Sequence, residues 1–413
     1  MANLGDKHWV SGVLLDPDDR WVNCSLNKLP SVDNEIKPKS VIISDITLRS
    51  GTNTPGVRVN SDAKMEIAQR LDEIGVKEAE VGYPNSESDR DFVKMLKKTS
   101  CKLKVGFHLL LGMGTYKENV DKAVEAGVDI VNIVAGAVPV SGRRLETAEL
   151  MDSIGEAASY AKKQGILVSV GGLFHDMDSV QRLITVSADV GADRICIYDG
   201  RGWFTPQTVS FLVKYVRDIS KGSTKVTVHC HNDFGLATIN TLEAIKSGAY
   251  GVDVTVNGTG HRCGNASFEQ VVIAAEVLYD IQTGIDLSKI PDLCRLVEKL
   301  YDVPIASNSP HVGENMYRHG GAHLMGCVRG EWYEWENIKP ETLGYDHQSF
   351  FWGSTVHPGR DGPINSKVAL MGLSASDQEL DVIYERLQDV ISHKKFATDE
   401  EMAQIIRDSL GRR

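Results

Sequence analysis

The chain has 413 residues, 42% of them hydrophobic and 24% charged, which is an ordinary composition for a globular protein with a core of normal size. Its 45 Lys and Arg against 56 Asp and Glu leave a net charge of -11, which argues against a general binder of nucleic acid or anionic membranes while leaving room for a small anionic substrate held by a local Arg. Seven cysteines, at 24, 101, 196, 230, 263, 294 and 327, form no CxxC pair, so they read as reduced thiols of a cytoplasmic protein; no secretory signal and no membrane span is expected.

Residues 1–39 are irregular and carry Trp9 and Trp21, which makes them an N-terminal extension that packs on something. From residue 41 a rhythm begins. Short apolar runs alternate with longer stretches of helical period. The first strand is Val41–Ser44 and its helix Ser61–Ile74. The next pairs are Glu78–Val81 with Glu87–Lys97, Lys102–Phe107 with Tyr116–Ala126, and Asp129–Val134 with Thr147–Gln164. Then come Leu167–Val170 with Ser179–Val190, Arg194–Tyr198 with Pro206–Ile219, Lys225–Val228 with Ala237–Lys246, and Val252–Val256 with Phe268–Tyr279. Several helical stretches end in glycine, among them Gly75, Gly127 and Gly248, a residue suited to the left-handed turn that closes a helix. Eight strand–helix units in a span of this length predict an α/β fold, a (β/α)8 TIM barrel over residues 40–285. An open doubly wound sheet is the alternative. Residues 286–413 break the repeat and read as a smaller, mainly helical C-terminal subdomain covering the active site.

Barrel chemistry sits where the strands end, and these ends are polar: Asp45 to Arg49, Glu80, His108, Asn132, Tyr198 to Arg201, His229 to Asp233, and Asn257 to Arg262. On a strand, residues two apart point the same way, so His229 and His231 face together, an arrangement able to hold one divalent cation. Asn232 and Asp233 stand ready to orient the two imidazoles. Arg49 offers a planar fork to a carboxylate or enolate oxygen and pairs with Glu80. The Gly-rich stretch 258–267 allows close backbone approach to a ligand. His319 and His323 sit among glycines beyond the barrel.

These segments resemble a family. DITLRSG, EVGYP, HCHNDFGLA and NGTGHRCGNAS are similar to the DRE-TIM metallolyases, and VGENMYRHGGAHLMG, ENIKPETLG and HPGR narrow the resemblance to the branch of 2-isopropylmalate, homocitrate and citramalate synthases. The resemblance implies a Claisen-type condensation, in which acetyl-CoA attacks the ketone of a 2-oxo acid beside a divalent metal such as Mg, Mn or Zn and CoA is released. It implies that His229 and His231 are metal ligands with Asn265 close by. Arg49 would stabilise the substrate or enolate oxygen, His323 would take part in proton transfer, and Glu80 would support the catalytic set. Asp45, Ser50, His108, Asp199, Arg201 and His261 would contact substrate. A homodimer working on small molecules is expected.

The departures are specific. Ser50 stands where the family places a metal-binding aspartate, Gly172 near a glutamate position, Gly200 at a threonine position, and His261 at a glutamate position. Two expectations follow: a weakened or relocated metal site, with His175, Asp176 or Asp199 as replacement ligands, and a bulkier or more anionic acceptor in a pocket enlarged at Gly172 and Gly200.

Overall fold

The computed structural model describes residues 2–3, 12–32, 37–135, 146–173, 176–320, 332, 336–346, 349–353 and 362–411. Its larger unit, 35–305, contains eight parallel strands: β1 (Ile42–Asp45), β2 (Glu78–Gly82), β3 (Lys104–Leu110), β4 (Ile130–Ala135), β5 (Leu167–Gly172), β6 (Arg194–Asp199), β7 (Lys225–Cys230) and β8 (Gly251–Val254). They pair in sequence order, and β8 returns to β1, so the barrel is closed. The alternating helices are α1 (Ser61–Ile74), α2 (Glu87–Leu96), α3 (Tyr116–Ala126), α4 (Thr147–Lys163), α5 (Met177–Asp189), α6 (Pro206–Ser220), α7 (Ala237–Lys246) and α8 (Phe268–Tyr279). Their limits fall within a residue or two of the sequence reading because punctuation residues set them. Asn60, for instance, accepts from Ala63 N at the start of α1, and Gly75 closes that helix at φ 106°.

Each barrel helix buries one apolar stripe, such as Ile67, Leu71 and Ile74 of α1. Outward strand positions such as Val226 and Val228 are buried too, so the strands carry near-continuous apolar runs. The inward positions are different. Glu78 and Arg194 form a bidentate pair low in the barrel, at 2.5 and 2.8 Å, and above them lie Ser44, Asn132, Ser169, Thr227 and Asp253. The cavity among these side chains measures about 20 Å³, room for one water and no substrate. Any larger molecule must bind above this plug, at the carboxyl ends of the strands.

A ninth helix, α9 (Ile290–Tyr301), belongs to the same unit. Tyr301 Oη donates to Thr47 O at 2.8 Å, and Asn257 Nδ2 donates to Cys294 O at 2.9 Å. These bonds move the boundary from 285 to about 305. The smaller unit joins residues 1–34 to 306–413. Val13–Leu15 and Val22–Cys24 form an antiparallel hairpin, and Trp21, 5% exposed, bridges to Ile338. The N-terminal segment is therefore a part of this second unit rather than a free extension. Helices α10 (Pro363–Leu370), α11 (Asp377–His393) and α12 (Asp399–Leu410) pack around Trp352, Ile383, Leu387 and Met402. No helix among the described residues is long and apolar enough to cross a membrane.

Candidate active site

Strand alternation delivers one polar ring to the barrel mouth. Thr227 and His229 point inward from β7, while Val226, Val228 and Cys230 are buried on the helix side. In β2 the register shifts between Glu80 and Gly82, a local irregularity of the kind that re-aims a side chain beside a site. Glu80 is only 2% exposed and stands at the centre of the ring.

Glu80 collects three donors. Arg49 pairs with it through Nε and Nη2, His108 Nδ1 donates at 3.1 Å, and Asn132 Nδ2 donates at 2.6 Å. Burial alone would raise this carboxyl, but Arg49 and His108 outweigh burial and hold it well below the usual carboxylate range. It is therefore ionised and fixed. Burial opposes the charge on Arg49 as well, and the Glu80 carboxylate restores it. Arg49 Nη2 is buried against Glu80 Oε1 as the second contact of the ion pair. The result is a rigid cation held by a carboxylate that accepts from three side chains.

The two imidazoles converge through Nε2 at 3.4 Å. Their other nitrogens are committed: His229 Nδ1 faces Asp253 Oδ2 at 3.2 Å, and His231 Nδ1 faces Gly264 O at 3.2 Å. His231 Nδ1 meets a backbone carbonyl, which can only accept, so it carries the proton and leaves its Nε2 as an acceptor toward His229. Burial, helped by the Arg49 charge, lowers His229 to about 3; burial and then the neighbouring His229 lower His231 to about 3. Gly264 adopts φ +87°, and a Cβ there would lie 1.9 Å from Gly258 O, so only glycine lets this loop close and bring its carbonyl to His231. The same loop seats Asn265, whose Nδ2 donates to Thr259 O at 2.8 Å and to Ser50 Oγ at 3.1 Å. Two neutral imidazoles that converge through Nε2, each braced from behind, are of the ligand type that suits a divalent cation. Among the described residues no third His, Cys, Asp or Glu joins them, so the further donors at hand are the Asn265 amide and the Ser50 hydroxyl.

Other residues expected at the substrate are engaged elsewhere. Asp45 accepts from Thr47 N and Thr47 Oγ1, both at 2.9 Å, and burial pushes its carboxyl up to about 7. Asp199 accepts from the backbone of Trp203 and Phe204 at 3.0 Å. Both carboxylates tie down the turn that follows their strand, because turn N–H groups next to a buried strand end need acceptors. Asp176, one proposed replacement ligand, caps α5 through Ser179 N at 2.9 Å. Arg201 and His261 are exposed, and the Arg201 guanidinium lies 5.1 Å from the centre of the Trp203 ring. The space beside Gly200 is filled by Leu173, 2.2 Å from where a Cβ would stand, so that glycine opens no pocket. His175 and His323 lie outside the described residues. His319 pairs with Glu336 within the smaller unit at 2.5 Å. One functional residue escaped the sequence reading altogether. Asp253, a lone acid inside the apolar run of β8, sits in register with His229; a carboxylate at an inward strand position was the available signal.

Comparison with known proteins identifies the family. Residues 40–297 match the HMGL-like family. The (R)-citramalate synthase of Methanocaldococcus jannaschii is 35% identical over 381 residues, 90% of this chain and 75% of the relative. The homocitrate synthase of the same organism is 33% identical over 91% of this chain and 92% of its own length. A probable 2-isopropylmalate synthase of Ignicoccus hospitalis is 35% identical over 79% and 81%. Among solved structures, the hydroxymethylglutaryl-CoA lyase of Pseudomonas aeruginosa superposes with a TM-score of 0.56 at 17% identity, over 66% of this chain and 96% of that one, which speaks for the fold alone. By its matched barrel and these identities, the chain belongs to the HMGL-like family, on the branch of the citramalate, homocitrate and 2-isopropylmalate synthases.

Proposed function

We propose that this enzyme is an acyltransferase that condenses an acyl-CoA, acetyl-CoA above all, with a 2-oxo acid and releases CoA and a malate-type diacid. The observation that carries the reading is the joining of Arg49, fixed by Glu80, and the braced His229–His231 pair in one buried ring at the barrel mouth. A thioester methyl is a very weak acid, so the step needs positive charge placed in advance where the enolate oxygen develops. The Arg49 guanidinium supplies that charge without reorganising, because Glu80 prevents it from turning away. A divalent ion held by His229 and His231, when bound, supplies Lewis-acid polarisation of the acceptor ketone. Asn265 and Ser50, hydrogen-bonded to each other at 3.1 Å, orient the acceptor in this reading. The methyl proton passes to a base, for which the family resemblance nominates His323. The new carbon–carbon bond forms at the ketone carbon, the ketone oxygen takes up a proton, and water then cleaves the thioester.

The reading includes small-molecule substrates, as the similarity to the synthases supports, and extends to a homodimer in the cytoplasm. It is tested by thiol release from acetyl-CoA across a panel of 2-oxo acids. Release that requires one acceptor, and that falls at least ~100-fold in Arg49→Ala and His229→Ala, is the expected result. No release with any acceptor, together with cleavage of a CoA ester or a hydroxy diacid, would place the enzyme among lyases instead.

A further inference from the structure

We propose that Asp233 and Arg262 form a clamp that fixes the loops after β6, β7 and β8 against one another, and that through it they position His231 and Asn265 for the reaction. This role rests on the reading of the barrel mouth as the catalytic centre and adds to it two residues that act through others. Arg262 is the hub. Its Nε donates to Asp233 Oδ1 at 2.6 Å, and its Nη2 donates to Asp233 Oδ2 at 2.8 Å and to Gly200 O at 2.9 Å. One guanidinium from the loop after β8 therefore grips a carboxylate of the loop after β7 and a carbonyl of the loop after β6. Such a fork fixes direction as well as distance. Arg262 also holds φ at 58°, a left-handed backbone that residues with a Cβ adopt at a cost. The loop after β6 is seated directly on the clamped turn: a Cβ on Gly202 would stand 2.8 Å from both Asp233 Oδ2 and His231 O.

The clamp is continuous with the site. Asp233 follows His231 by two positions, and Arg262 precedes Asn265 by three. Between them the two loops are laced through their backbones. Asn232 N donates to Gly264 O at 3.0 Å, Ala266 N donates to Cys230 O at 3.2 Å, and His231 bridges to Asn265. Gly264 O thus serves both Asn232 N and His231 Nδ1. A slip of one loop along the other moves the carbonyl behind His231 and the Asn265 amide together. The sequence pattern assigns Asn232 and Asp233 to orienting the imidazoles, but neither side chain hydrogen-bonds an imidazole. Asn232 Oδ1 accepts from Ala237 N at 3.1 Å at the start of α7, and Asp233 is taken by Arg262. Their influence is on how the loops sit, not on the rings directly.

Exposure separates positioning from stabilising. The side chains of Arg262 and Asp233 are 38% and 21% exposed. A pair this open to water adds little to stability, whereas a displacement of about 1 Å at a reacting centre costs on the order of 100-fold in rate.

The test uses the full chain as Asp233→Asn, as Arg262→Gly, and with the pair exchanged, Asp233→Arg with Arg262→Asp. Glycine keeps the left-handed backbone and removes only the guanidinium, and aspartate tolerates that backbone too. Thiol release from acetyl-CoA, melting temperature, and hydrogen exchange of peptides over 229–235 and 258–267 are read for each. Both single variants are expected to lose about 10–100-fold in kcat, with the KM for acetyl-CoA within about 3-fold of wild type. Their melting temperatures are expected to fall by no more than about 4 °C, and exchange is expected to quicken in those two peptides while the barrel strands keep their protection. The exchanged pair is expected to exceed either single variant in kcat by at least ~3-fold.

Single variants with wild-type kcat, a loss of kcat that comes with a larger fall in melting temperature, or an exchanged pair no better than either single variant would each overturn the proposal. Absence of thiol release from the wild type with every acceptor would count against the condensation reading alone. The clamp is then decided by hydrogen exchange, and protection at 229–235 and 258–267 unmoved by Arg262→Gly would overturn it.

Discussion

Asp253 makes the case for how much a single residue decides in this ring. Its carboxyl oxygen lies 3.2 Å from His229 Nδ1 and holds the plane of that ring. Asp253→Asn keeps the shape but weakens that acceptor, and metal affinity is expected to fall about 10–100-fold without a matching loss of thermal stability. Unchanged affinity by calorimetry would show that the carboxylate does no positioning. The same residue marks where sequence reading ends. His229 and His231 announce themselves because two imidazoles spaced by two on a strand share a face. A lone Asp between Val252 and Val254 announces nothing until β7 is beside it. Asp45 and Asp199 err in the opposite direction: sequence displays an acid at a strand end, but only the folded turn shows that unsatisfied backbone N–H groups have claimed it.

At the scale of elements, the loop after β8 carries the most specific local demand. Gly264 has a left-handed backbone and no room for a methyl group. Gly264→Ala is expected to displace the carbonyl that braces His231 together with the Asn265 amide behind it. Turnover should be lost while far-ultraviolet dichroism keeps the barrel signature; full retention of turnover would contradict this role. The barrel itself was legible because its helices are written in apolar stripes with capping residues at their ends, as Asn60 and Gly75 show for α1. The boundary between units was less legible. Helix α9 lacks a strand partner and reads as the start of something new, yet its hydrogen bonds to Thr47 and Asn257 tie it to the barrel. Residues before 35 read as an appendage, yet Trp21 pairs with a segment more than three hundred residues later.

For the whole molecule, buried carboxylates set a pH signature. Burial raises Asp45 to about 7 from an ordinary value near 3.8. A carboxyl that holds its proton more tightly when folded contributes stability below its unfolded value, and that contribution is lost as pH climbs through the folded one. The window is therefore about pH 4 to 7. His229, His231 and His311, all lowered by burial, act with the opposite sign as pH falls, so the net curve of the wild type mixes both. A difference isolates Asp45: the melting temperature of metal-free Asp45→Asn minus that of the wild type should rise from pH 4 to pH 7. A flat difference would mean that Asp45 ionises as freely in the fold as outside it.

The account as a whole stands on carbon–carbon bond formation at the barrel mouth. Incubating the metal-loaded enzyme with acetyl-CoA labelled with ¹³C at the methyl carbon and a mixture of 2-oxo acids, then recording carbon spectra, measures that directly. The label is expected to move into a methylene group between a carboxylate and a fully substituted carbinol carbon, or a carbinol CH where the acceptor is an aldehyde acid, and to stay in the thioester when Arg49 is replaced by alanine. Label that remains in acetyl-CoA or appears only as free acetate with every acceptor would contradict the account.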